Sequence, residues 1–210
     1  MASRVLLFDV DGVVVHGFHA KPEKRRRWDE KLLQDLGIEP AAFTEHFIRG
    51  PFEREVLLGH RSLMSALAEV LPRLGCQGSP MALIDYWLCR DSQLNFQLLD
   101  LIARLRRAGV GPIYLATNQE HQRAFHLWSA LGLRNSFDDI FYAARLGVLK
   151  PQSAFFEAID RLIGPQDEKP LFFDDNEVVI EAACAHGWEA VLFDRIEDCA
   201  AYPWIAAQLR

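Results

Sequence analysis

Short, uninterrupted apolar runs recur along this chain, with stretches of helical spacing between them. Val5 to Phe8, Ile113 to Ala116, Ile140 to Ala143, Leu171 to Phe173 and Ala190 to Phe193 carry few polar positions. That is the pattern of strands buried on both faces rather than on one. Between them, Leu98, Leu99, Ile102 and Leu105 fall on one helix face, as do Phe155, Ile159 and Leu162, with Phe156 and Ile163 widening the stripe. Gly109, Gly132, Gly164 and Gly187 stand where these helices should stop. Strand and helix in alternation predict an α/β fold: a Rossmann-like parallel sheet with helices on both faces.

From about His16 to Arg90 the alternation lapses. Lys24 to Leu36, Ala41 to Ile48, Leu63 to Leu71 and Met81 to Cys89 read as helices, the last opened by Ser79-Pro80, and no strand is convincing. Leu63, Leu67, Val70 and Leu71 share a face. The expected organisation is a core made of 1–15 and 91–210, with 16–90 inserted after the first strand as a small α-helical cap over the sheet edge.

Composition narrows the functional classes. A net charge of -6 argues against general nucleic-acid binding, which needs a basic excess. Lys24-Arg25-Arg26-Arg27 is then expected to be a solvated helix face, or a cap surface attractive to anions. Cys76, Cys89, Cys184 and Cys199 form no CxxC pair and read as buried cytosolic thiols. Asp9 and Asp11 interrupt the first apolar run, so it is not a secretion signal, and no run is long enough to span a bilayer. A cytoplasmic protein, monomer or homodimer, with no membrane or nucleic-acid partner is expected. The tryptophans, Trp28 and Trp87 among them, read as packing.

The chemistry gathers at strand ends. Asp9 and Asp11 project to the same side from the end of the first run, and Gly12 releases the chain into a turn. Taken alone, the segment could be an ordinary strand-end turn. Leu171-Phe172-Phe173 ends in Asp174-Asp175-Asn176, and the run through Ala116 ends in Thr117-Asn118. Lys150-Pro151 precedes a helix, with proline at a plausible first position. Open parallel sheets bind ligands beyond the carboxyl ends of their strands, so one edge collects all these groups. Paired carboxylates are costly unless a cation neutralises them or one is protonated, and hard oxygen ligands select Mg²⁺. Phosphoryl transfer needs such charge neutralisation, and a carboxylate can serve as its nucleophile.

Four ordered segments resemble the haloacid dehalogenase superfamily of phosphohydrolases. They are Phe8-Asp9-Val10-Asp11-Gly12-Val13; Leu115-Ala116-Thr117-Asn118; Phe137-Asp138-Asp139-Ile140-Phe141 through Gly147 to Lys150-Pro151; and Phe173-Asp174-Asp175 with Glu181-Ala182-Ala183. The insertion resembles that superfamily's type-one helical cap (subfamily IA). The adjacent acidic pair resembles the subgroup holding small-sugar phosphatases and β-phosphoglucomutase. The resemblance implies that Asp9 attacks phosphorus and Asp11 serves as acid and then base. It implies that Thr117 and Asn118 hold the phosphoryl group and that Lys150 balances charge. Magnesium would be held by Asp9, the Asp11 backbone carbonyl and Asp175, with Asp174 a second ligand or an outer acceptor.

The expected activity is Mg²⁺-dependent hydrolysis of a small phosphorylated metabolite, plausibly a sugar phosphate. A sugar phosphomutase, a dehalogenase and a non-catalytic binding protein are the rivals. Val178, Val179 and Ile180 stand where relatives carry an asparagine, a place Asn176 could fill. His16 and His19 near the hinge, and Arg49, Arg54 and Arg61 in the cap, are candidate substrate contacts.

Overall fold

The computed structural model describes residues 3–76 and 78–209. Five strands form the main sheet: β1 (Leu6–Phe8), β4 (Ile113–Thr117), β5 (Asp139–Tyr142), β6 (Leu171–Asp174) and β7 (Glu189–Leu192). Two shorter strands, β2 (Val15–His16) and β3 (Gln93–Leu94), pair separately and antiparallel. The main sheet has the order β5-β4-β1-β6-β7, and every pairing in it is parallel. Successive side chains explain why the strands read as unbroken apolar runs. Leu6 and Phe8 enter one core with Leu98, Ile102 and Leu105, whereas Leu7 enters the other with Phe155, Phe156 and Ile159. Both faces are covered by helices, as the absence of polar alternation predicts.

Register delivers the strand ends to one place. Phe8 lies opposite Leu115 on one side and Phe173 on the other, so Asp9, Ala116 and Asp174 emerge level. The Asp9 N–H continues the ladder by donating to the Phe173 carbonyl at 2.8 Å. Beneath, the Phe8 and Phe173 rings stack at 5.0 Å; burying such a ring contributes about 1.5–3 kcal/mol. Beyond β1 the chain coils back, and Asn95 anchors it by donating to the Val13 carbonyl. The same side chain accepts from Leu98 N–H and caps the helix Phe96–Ala108, which stops at Gly109.

Residues between Leu32 and Trp87 form a cluster of their own, with Phe43, Phe47, Leu67 and Leu83 buried and Trp28 stacked on Trp87 at 4.8 Å. Helices Leu63–Val70 and Pro80–Arg90 begin at Ser62 and Ser79, each accepting a backbone N–H three residues on.

Several expectations change. Lys24 to Leu36 is not one helix: Pro22–Lys24 is a 3-10 turn, and only Leu32–Leu36 is α-helical. The basic run is therefore no helix face. Its members stay exposed but are partnered, Lys24 with Asp194, Arg25 with the His19 carbonyl, Arg26 with Gln93 and Arg27 with Asp29. Of the cysteines expected to be buried, only Cys199 is; Cys89 and Cys184 are exposed. The helix expected over Ala41 to Ile48 continues to Val56 through a kink at Gly50. Pro151 precedes its helix, Ser153–Ile163, by two residues, and Leu162 is exposed. Strands β2 and β3 were not foreseen, being two residues each and far apart in sequence. Among the described residues no helix is long and apolar enough to cross a membrane.

Candidate functional site

Asp9, Asp174 and Asp175 each bring a carboxylate oxygen within 4.8 Å of the others, and all three residues are buried. Lys150 is the cation among them. Its ammonium lies 2.6 Å from Asp174 Oδ2, 2.9 Å from Asp9 Oδ1 and 3.0 Å from the Ala116 carbonyl. The approach to Asp9 is off the hydrogen-bonding direction, so Asp9 Oδ1 is buried with no hydrogen bond. Three carboxylates against one ammonium leave two uncompensated negative charges.

The titration behaviour follows from that imbalance. Burial pushes the Asp9 carboxyl up to about 7, against the pull of Lys150 and with repulsion from Asp174. Burial likewise raises Asp175 to about 6, helped by Asp9, and raises Asp174 in spite of Lys150. Lys150 is raised too, but for another reason: burial disfavours its charge, while attraction to Asp174 and Asp9 outweighs it and the ammonium is held more firmly. A divalent cation among these oxygens would supply the missing charge, and hard oxygen donors suit Mg²⁺. The residues present therefore fit the ion expected from the sequence.

Outer contacts hold this cluster in place. The Ala20 N–H donates to Asp175 Oδ2 at 2.6 Å, and His19 Nδ1 lies 3.0 Å from the same oxygen. His19 Nδ1 also accepts from Lys21 N–H, and burial lowers its pKa, so the ring is a neutral neighbour. Gly12 has φ 79°, and a side chain there would collide with the Asp175 carboxylate. Asn176 does supply an outer contact, but through its backbone: its N–H donates to Asp174 Oδ1 at 2.9 Å while its side chain caps Glu177–His186. Val178 is exposed and takes no part.

Thr117 is buried at the end of β4. Asn118 follows it, with its side chain turned to Lys150. Its side chain accepts from Lys150 N–H at 2.9 Å and donates to the Lys150 carbonyl at 3.1 Å. Its side-chain amide thus fixes the lysine backbone.

Asp11 does not join the carboxylate cluster. Its side chain sits in the fork of Arg123, with Nη1 to Oδ2 and Nη2 to Oδ1 both at 2.8 Å. Gln119 donates to Oδ2 at 2.6 Å and accepts from Arg123 Nη1 at 3.0 Å. The same guanidinium meets Asp91 through its carbonyl and Oδ2, each at 3.1 Å. Burial opposes the charge on Arg123, yet Asp11 and Asp91 together strengthen its hold on the proton. Arg123, Gln119 and Asp91 escaped the sequence reading. The signal available was a run of polar residues, Gln119 to Arg123, directly after a strand end already picked out for chemistry. Arg49 pairs with Glu45, Arg61 with Glu55 and Glu69, and Arg54 is exposed, so the first two are engaged within the segment 16–90.

Comparison with known proteins agrees with this architecture. The chain aligns with a HAD family enzyme of Bacteroides thetaiotaomicron in its magnesium complex (TM-score 0.77, 19% identity, 96% of this chain and 98% of the other). It aligns similarly with a predicted HAD-like family hydrolase of Porphyromonas gingivalis (0.75, 21%, 100% and 99%). The L-2-haloacid dehalogenase of Xanthobacter autotrophicus is also similar (0.62, 16%, 99% and 84%). At these identities the likeness establishes the fold. No curated protein sequence matches significantly. The haloacid dehalogenase-like hydrolase profile matches residues 4–187, which include every strand-end group described above. The chain belongs to the haloacid dehalogenase-like hydrolase family.

Proposed function

We propose that the protein is a Mg²⁺-dependent phosphatase acting on a small phosphorylated metabolite, such as a sugar phosphate, through an aspartyl-phosphate on Asp9. The observation that carries this reading is the buried cluster of Asp9, Asp174 and Asp175 with its unsatisfied Asp9 Oδ1 and single ammonium. Asp9, Asp175 and the Asp11 backbone carbonyl would hold the ion, with Asp174 held back by Lys150. When bound, the ion neutralises charge on the phosphoryl group and its nucleophile. Support also comes from the Bacteroides enzyme, whose structure is known with magnesium and with magnesium plus inorganic phosphate.

In the first step an Asp9 oxygen bonds to phosphorus and the ester oxygen leaves with a proton from Asp11. In the second, Asp11 takes a proton from water, the water oxygen bonds to phosphorus, and the bond to Asp9 breaks to release phosphate. Thr117, the Asn118 N–H and Lys150 face the phosphoryl oxygens and balance their charge. Residues 16–90 serve as the cap: the Ala20 contact to Asp175 brings its first end to the site, and Asp91, directly after its last residue, meets Arg123.

Phosphate release from a panel of sugar phosphates and other phosphomonoesters, with Mg²⁺ and with chelator, tests the reading. Metal-dependent release is expected. Isomerised sugar phosphate without free phosphate would make it a mutase, and halide release without metal would make it a dehalogenase.

A further inference from the structure

A carboxylate offers about four lone-pair positions, two on each oxygen. On Asp11 three are taken. Oδ2 accepts from both Arg123 Nη1 and Gln119 Nε2, whereas Oδ1 accepts only from Arg123 Nη2. The two oxygens are therefore unequal, with Oδ2 filled and Oδ1 retaining one position.

A Cβ on Gly17 would collide with Asp91 Oδ1, so glycine there lets the Asp91 carboxylate sit beside Arg123. The Asp11 side chain is 17% exposed, more open than the 8% of the arginine that grips it. Arg123 itself is fixed from two further directions, by the Asp91 carbonyl and carboxylate and by Gln119 Oε1. Glu120 accepts from the Arg123 N–H at 2.5 Å, tying down the first turn of the helix His121–Phe125. A buried guanidinium is tolerated where it is well paired. Both terminal nitrogens of Arg123 are so paired, while its Nε has no partner among the described residues. The fork fixes the carboxylate plane of Asp11 and leaves one lone pair of Oδ1 unclaimed.

We propose that Arg123 and Gln119 are positioning residues that orient Asp11 so that Oδ1 alone transfers the proton to and from the reacting oxygens. This rests on the reading of Asp11 as acid and base. An arginine fork fixes the carboxylate plane, which a lysine, as a point charge, does not. A misaimed carboxylate hampers leaving groups that need a proton and matters less to those that leave unaided.

The test compares kcat/KM for an alkyl phosphate and for p-nitrophenyl phosphate in wild type, Arg123→Lys, Gln119→Leu and Asp11→Asn, all with saturating Mg²⁺. Arg123→Lys should lose about ten- to a hundredfold on the alkyl ester and severalfold less on the nitrophenyl ester. Gln119→Leu, which frees Oδ2 without removing a charge, should show the same bias at about threefold to tenfold. It also serves if Arg123→Lys does not fold. Equal losses on both esters, or none, would overturn the proposal, because a folding defect lowers both alike. Asp11→Asn separates the two levels: if it keeps wild-type activity on the alkyl ester, the acid–base reading of Asp11 fails first.

Discussion

Asp9 and Asp11 are two residues apart just beyond β1, yet their side chains occupy different electrostatic surroundings. Asp9 is crowded by Asp174 and Asp175 with one ammonium to share, and its carboxyl is pushed up to about 7 by burial. Asp11 stands in a completed fork, matched by a buried guanidinium and a side-chain amide. One surrounding has a deficit of positive charge that a cation can fill. The other centres on a guanidinium that Asp11 shares with Asp91, and it limits geometry instead. The same residue type thus acquires two tasks from what the neighbouring strands and helices bring to it.

The largest expected effect separates the two directly. Asp9→Asn should lower phosphate release at least about a thousandfold, since no other group replaces the nucleophile. Its metal-free stability should not fall, because the substitution removes a charge the site disfavours; a lowered melting temperature would contradict the crowding described here. Asp11→Asn should behave oppositely in stability, losing about 1–3 kcal/mol as Arg123 loses its charge-assisted partner. Equal melting temperatures for the two variants would erase the comparison.

Lys150→Ala leaves the three carboxylates with no cation and should cost about 3–5 kcal/mol in chelator, a loss read by denaturant unfolding. Added Mg²⁺ should restore part of it. Asp175→Asn should raise the Mg²⁺ needed for half-maximal activity by about ten- to a hundredfold. An unmoved magnesium titration would remove Asp175 from the ion's ligands.

The smallest effect is a pH dependence. Asp9 and Asp175 bind protons more tightly folded than unfolded. The unfolded chain thus holds fewer protons between about pH 4 and pH 7, and metal-free stability should fall as pH rises through that window. Lys150, held above its ordinary value, contributes no slope there. Mg²⁺ competes with the protons, so stabilisation by the ion should grow with pH; melting temperatures with and without Mg²⁺ at pH 5 and pH 7.5 would read it.

The two halves of the site also differ in how far the sequence discloses them. Asp9, Thr117, Asp174 and Asp175 end apolar runs, and strand pairing converts that local signal into a shared location. Lys150 is marked by Lys150-Pro151 ahead of a helix, but its clamp by the Asn118 side chain is not. Arg123 lies in a short polar stretch that looks like any exposed helix turn, and its partners are 112 residues away at Asp11 and 32 away at Asp91. No local pattern encodes such a pairing. The same limit explains β2 and β3, two residues each, which are strands only because distant chain meets them. Between Lys24 and Leu36 helical spacing misled, because the basic side chains find partners at Asp194, Gln93 and Asp29 that an extended path reaches.

The central claim is that Asp9 carries the phosphoryl group. Asp11→Asn should accumulate it when mixed with p-nitrophenyl phosphate and Mg²⁺ and quenched in acid. Mass spectrometry of the digest should then find one added phosphoryl group on the peptide containing Asp9, and none in Asp9→Asn or with chelator. A phosphoryl group on another residue, or metal-dependent turnover by Asp9→Asn at the wild-type rate, would contradict the account.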